Sequence, residues 1–230
     1  MPEKKVFENP EDRIFFTIDF DGDFMRMRDL AKVFGQEVHA VKLGQAFLLH
    51  KKWSQIHEMF LKTGITTYLD IKSHENADQS RYNTLQVAKE GFEYMSVHAA
   101  AETTSLKAAA EVSGKLAIVA ALSYSSGDVR QEELERIQTV NEQLPEGQGI
   151  SAIMCNVSQL ENTEQLGGVL RIATGIRMPG DSSHDQLAVA TPAQALERGA
   201  DMLAIGRTVT EAPDRQRAFN RVLENMRAAA

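Results

Sequence analysis

Eight short apolar runs rich in β-branched or aromatic residues alternate along the chain with segments of helical spacing, and this rhythm restricts the fold more than any other feature. The runs are Ile14 to Asp19, Val38 to Gly44, Ile65 to Lys72, Phe92 to His98, Leu116 to Leu122, Ile150 to Asn156, Val169 to Thr174 and Asp201 to Gly206. Between them, Leu30, Val33 and Phe34 share one helical face, Trp53, Ile56, His57 and Phe60 a second, and Leu85, Ala88 and Lys89 a third. Helices also fit around Leu106 to Val112, Leu134 to Val140, Ala193 to Arg198 and Phe219 to Met226. Repeated strand–helix units impose right-handed crossovers and a parallel sheet, and eight of them close into a (β/α)8 TIM barrel of the α/β class. An open doubly wound sheet is the other solution. It calls for a Gly-rich turn after the first strand, where this chain has the acidic Asp19-Phe20-Asp21-Gly22-Asp23. No repeat or linker divides the 230 residues, so the expectation is one barrel domain over 1–230.

A hydrophobic content of 43% supplies a large core, and a formal charge of -7 offers no basic stripe to a nucleic acid. No apolar stretch approaches the roughly 18 residues of a membrane span, and the start, Met1 to Arg13, is charged rather than signal-like. These features predict a cytoplasmic protein with neither a nucleic-acid nor a membrane partner. The single cysteine, Cys155, lies in an apolar run and reads as a core residue rather than a nucleophile.

In a barrel the C-terminal strand ends converge on one mouth, so polar residues there meet although distant in sequence. These ends supply Asp19, Lys42, Asp70, Lys72, His98, Ser123 and Gly206-Arg207. Asp70 and Lys72 are two residues apart in a strand and project to the same side. Lys42 sits within the apolar Ala40-Val41-Lys42-Leu43-Gly44, where it either pairs with an acid such as Asp70 or reaches past the strand tip to water. Gly175-Ile176-Arg177 and Ala204-Ile205-Gly206-Arg207 close the last two runs, where barrels bind phosphate. A metal held by Asp70, His74 and Glu75 is the competing use of the carboxylates, but two lysines at the same mouth would repel it. No metal is therefore expected.

These residues resemble the orotidine 5′-phosphate decarboxylase family. The resemblance runs through Ile18-Asp19-Phe20, Val41-Lys42-Leu43-Gly44, Asp70 to His74, Val97-His98-Ala99-Ala100, Gly175-Ile176-Arg177, Asp185-Gln186, Ala190-Thr191-Pro192-Ala193 and Gly206-Arg207. It implies a cofactor-free, homodimeric barrel that converts orotidine 5′-phosphate to uridine 5′-phosphate. By that resemblance Lys72 protonates the pyrimidine carbon, Asp70 faces the substrate carboxylate and Lys42 anchors the charge network. Asp19 holds the ribose, Ser123 touches the pyrimidine, and Gln186, Arg177, Gly206 and Arg207 grip the phosphate. The family's next aspartate, which reaches the partner subunit's site, is replaced here by Glu75, and the loop continues Asn76-Ala77-Asp78-Gln79 without the usual proline and threonine. Ala101-Glu102 likewise stands where the family has Gly-Gly. A related lyase acting on another phosphate ester and a silent nucleotide-binding paralogue are the alternatives this loop raises.

Overall fold

The computed structural model describes residues 7–18, 23–122, 130–184, 186 and 188–229. In chain order its elements are β1 (Ile14–Ile18), α1 (Phe24–Phe34), β2 (Ala40–Gly44), α2 (Gln45–Leu48), α3 (Trp53–Thr63), β3 (Thr67–Ser73), α4 (Ala77–Lys89), β4 (Tyr94–His98), α5 (Thr103–Glu111), β5 (Ala117–Ala121), α6 (Gln131–Gln143), β6 (Ile150–Asn156), β7 (Leu170–Thr174), α7 (Pro192–Glu197), β8 (Met202–Ile205), α8 (Arg207–Thr210) and α9 (Arg215–Arg227). The strands are all parallel and follow one another around a closed barrel, with β8 pairing back onto β1.

All eight expected strands form, most of them within a residue or two of the apolar runs. The sixth crossover departs from the helical expectation. It is a 3₁₀ helix, Val157–Thr163, started by a capping box between Asn156 and Gln159. Two four-residue helices, α2 and α8, also follow strands directly. They are shorter than any window in which a helical period can be read.

Strand alternation sorts the apolar residues into two layers. Phe16, Leu43, Leu69, Met95 and Ile153 face outward to the helices, while Phe15, Ala40, Tyr68, Val119, Ala152, Ile172 and Met202 fill the barrel interior. The Phe15 ring meets His39, Tyr68 and Tyr94 edge-on at centroid distances of 5.2, 5.3 and 5.1 Å, which plugs the interior with aromatic side chains. At the seam where the barrel closes, Phe34 of α1 lies 5.0 Å from Phe16 and 5.1 Å from Phe219 of α9. Helix α9 buries Ala218, Phe219, Val222, Leu223 and Met226, the one-sided spacing that docks it there. Among the described residues no helix is long and apolar enough to cross a membrane.

Candidate active site

The strand C-termini open onto a cavity of about 700 Å³, within the range of small-ligand sites. Its wall is built from inward-facing positions on successive strands: Thr17, Lys42, Asp70, Lys72, His98, Met154, Asn156, Thr174 and Ala204. On its phosphate-expected side stand Gly175, Arg177, Gln186, Gly206 and Arg207.

Lys42 pairs with Asp70: the Nζ to Oδ2 distance is 2.6 Å, with side chains 10% and 4% exposed. Lys72 closes on the same carboxylate, its Nζ 2.9 Å from both Oδ1 and Oδ2. Burial by itself pushes the Asp70 carboxyl upward, yet the charges of Lys42 and Lys72 and their hydrogen bonds outweigh it. Asp70 is held well below the usual carboxylate range and stays ionised. With one carboxylate between two ammonium groups the cluster carries an excess positive charge, and Lys72, whose side chain is 37% exposed, presents it to the cavity. Such a cluster can stabilise a developing carbanion and then protonate it.

Three neighbours escaped the sequence reading. Ser96, fully buried on β4, accepts the Lys72 backbone N–H at 2.7 Å and donates to Asp70 Oδ1 at 2.9 Å. Asn156, at the end of β6, donates from Nδ2 to Ala188 O at 3.1 Å and Gln186 Oε1 at 3.4 Å. Thr208 donates to Asp181 Oδ2 at 2.8 Å, tying α8 to the loop after β7. Asn156 carried a readable signal, as a polar residue on the inward face of its apolar run.

The loop after β7 returns as a single parallel bridge, Ile176 to Ala190. Gly175 has φ +81°, and a Cβ there would come within 2.6 Å of Ala188 O and 2.8 Å of Asn156 Nδ2, so both conformation and space require glycine. Arg177 lines the cavity, but its Nε donates to Ser182 O at 3.0 Å and its Nη1 to Ile176 O at 2.8 Å. These two bonds fix the guanidinium to the loop's own backbone at the cavity wall. Arg207 follows Gly206 at the start of α8 and borders the cavity.

Of the other expected site residues, Glu75 is exposed and is not part of the cavity wall, so one chain does not bring it to Lys42, Asp70 and Lys72. Asp19 and Ser123 lie outside the described residues. His98 accepts the Ala100 N–H on Nδ1 and stacks on His74 at 5.4 Å, a strand-end structural role. Cys155 is 4% exposed and burial pushes its thiol up to about 12, far from nucleophilic. Among the described residues no three His, Cys, Asp or Glu side chains are grouped to hold a metal ion.

Fold and cavity together define a (β/α)8 barrel protein whose polar residues gather at the C-terminal mouth. The chain belongs to the orotidine 5′-phosphate decarboxylase / HUMPS family, whose model matches residues 13–222. Orotidine 5′-phosphate decarboxylase of Listeria monocytogenes serovar 1/2a is 29% identical over 216 residues, covering 86% of this chain and 92% of the relative. The enzyme of the same name from Afipia carboxidovorans is 26% identical over 232 residues, covering 96% and 97%. Two solved structures share the fold: orotidine 5′-phosphate decarboxylase from Lactobacillus acidophilus, with a TM-score of 0.69, 19% identity and coverage of 94% and 99%, and that from Pyrococcus horikoshii OT3, with 0.72, 18%, 93% and 99%.

Proposed function

We propose that this chain is an orotidine 5′-phosphate decarboxylase, a carboxy-lyase of pyrimidine biosynthesis that forms uridine 5′-phosphate and carbon dioxide. The observation that carries the reading is the buried Asp70 carboxylate clasped by Lys42 and Lys72 at the cavity wall of a barrel in this family. Substrate binding sets the pyrimidine carboxylate against ionised Asp70, and their repulsion favours loss of carbon dioxide. The C–C bond breaks, its electron pair stays on the ring carbon, and the Lys72 ammonium stabilises that charge before transferring its proton there. Solvent then reprotonates the Lys72 amine. In this route the charged groups that act on the substrate are Lys42, Asp70 and Lys72.

Arg207, Arg177, Gln186 and the Gly206 backbone take the phosphate. Asp19 and Ser123 contact the ribose and pyrimidine. The enzyme is a cytoplasmic homodimer of single-domain subunits, and Glu75, remote from its own cavity, completes the partner's. Incubation with orotidine 5′-phosphate tests the reading: its ultraviolet absorbance should fall as uridine 5′-phosphate appears. Binding of uridine 5′-phosphate without turnover would instead identify a silent nucleotide-binding protein. The exposed Glu75 loop favours a second reading, a lyase for another phosphate ester, and turnover of a different phosphorylated carboxylate in place of orotidine 5′-phosphate would support it.

A further inference from the structure

Strands β3 and β4 do not stay in step at the site. Leu69 lies opposite Met95, but the next paired residues are Ser73 and Val97, so Asp70, Ile71 and Lys72 bulge out against Ser96 alone. Within the bulge Lys72 has φ +48°, a left-handed conformation that side chains other than glycine rarely adopt. Such a conformation persists only where its surroundings over-determine it. Ser96 supplies that restraint. Its hydroxyl accepts the Lys72 N–H at 2.7 Å and donates to Asp70 Oδ1 at 2.9 Å, so one group holds both the backbone that carries the ammonium and the carboxylate that receives it.

Ser96 is 0% exposed and does not border the cavity, so it has no access to a ligand. A serine serving only as polar filler would affect stability and leave the geometry of Lys72 alone. Here the hydroxyl sits where the β3–β4 ladder gives way, and the residue at that place is the proposed proton donor.

We infer that Ser96 is a positioning residue: its hydroxyl pins the β3 bulge and so aims the Lys72 ammonium across Asp70 into the cavity. The inference rests on the decarboxylase reading for its effect on rate, but the geometry it describes belongs to the protein without substrate. Replacing Ser96 by alanine removes one acceptor and one donor while adding no bulk. Lys72 then relaxes toward ordinary strand dihedrals and its Nζ moves off the carboxylate. Misplacement of a reacting group by an ångström costs about a hundredfold in rate.

The experiment compares the full-length wild type, Ser96→Ala and Ser96→Thr. In the alanine variant kcat should fall by about tenfold to a hundredfold while uridine 5′-phosphate affinity stays within about twofold, because the lost contact acts on the chemical step. Threonine restores the hydroxyl and should recover most of kcat. A second arm uses no turnover: trace acetylation with acetic anhydride, read by mass spectrometry, with exposed Lys89 as internal standard. Lys72 should react at least about threefold faster in Ser96→Ala, since its amine is no longer held against Asp70. An unchanged kcat in a folded alanine variant, an equal loss of kcat and nucleotide affinity, or unaltered Lys72 labelling would each overturn the inference. Absence of turnover in the wild type would sink the decarboxylase reading instead, and the labelling arm would then decide Ser96 on its own, whether or not the threonine variant folds.

Discussion

Lys42 Nζ lies 2.6 Å from Asp70 Oδ2, in a pair whose side chains are both at least nine-tenths buried. Each partner is tolerable only because of the other. Asp70→Asn should therefore leave Lys42 and Lys72 facing each other without a counter-charge and lower stability by about 3–5 kcal/mol. Urea unfolding at neutral pH measures the loss, and an unshifted midpoint would refute it.

Lys72 is the part of the cluster open to ligand, and its proposed role is chemical. Lys72→Ala should lower kcat by about a thousandfold or more, the scale of a lost general acid combined with lost charge stabilisation, and leave the fold intact. Stopped assays with confirmed nucleotide binding separate this from a binding defect.

Arg207 and Arg177 should behave differently although both border the cavity. Arg207→Ala should weaken uridine 5′-phosphate binding by about tenfold to a hundredfold, as expected for a lost charge-assisted hydrogen bond. Arg177→Ala also removes donors to Ser182 O and Ile176 O, so besides weakening nucleotide binding it should raise the protease sensitivity of the loop after β7. Calorimetry with the nucleotide and limited proteolysis give the two readouts.

If Glu75 completes the neighbouring subunit's site, inactive Glu75→Ala and Lys72→Ala chains should rescue one another. Mixed dimers would hold one intact site, and random mixing would return about a quarter of wild-type activity. No recovery after verified subunit exchange would exclude a role for Glu75 in the partner's site.

His57 stacks on Phe92 with ring centroids 3.8 Å apart and hydrogen-bonds Thr67 Oγ1 at 3.1 Å. Burial lowers its pKa from the ordinary 6.5 to about 4. The unfolded chain thus binds the proton more readily, so the stability contribution is complete above about pH 6.5 and declines as pH falls toward 4. Denaturation midpoints across that window should show the decline, and His57→Phe should flatten it.

The strand order and the Lys42–Asp70–Lys72 cluster were legible because a buried parallel strand is written as a short apolar run, and a charge inside such a run is conspicuous. Ser96 was not conspicuous. A serine is unremarkable in a strand, and its importance arises from a register shift with β3 that no local pattern records. Arg177 was read from its side-chain chemistry, and its additional bonds to Ser182 O and Ile176 O come from a loop that folds back onto it, which no local pattern records. Helices α2 and α8 were illegible for another reason: four residues complete barely one turn, and strand-end geometry rather than amphipathic spacing creates them.

The burial of Cys155 has a practical consequence. Because the chain's only thiol is shielded and almost entirely protonated at neutral pH, maleimide dyes will find no native target. A cysteine introduced at position 75 would be labelled alone, and fluorescence from that single dye could follow the approach of two chains in real time.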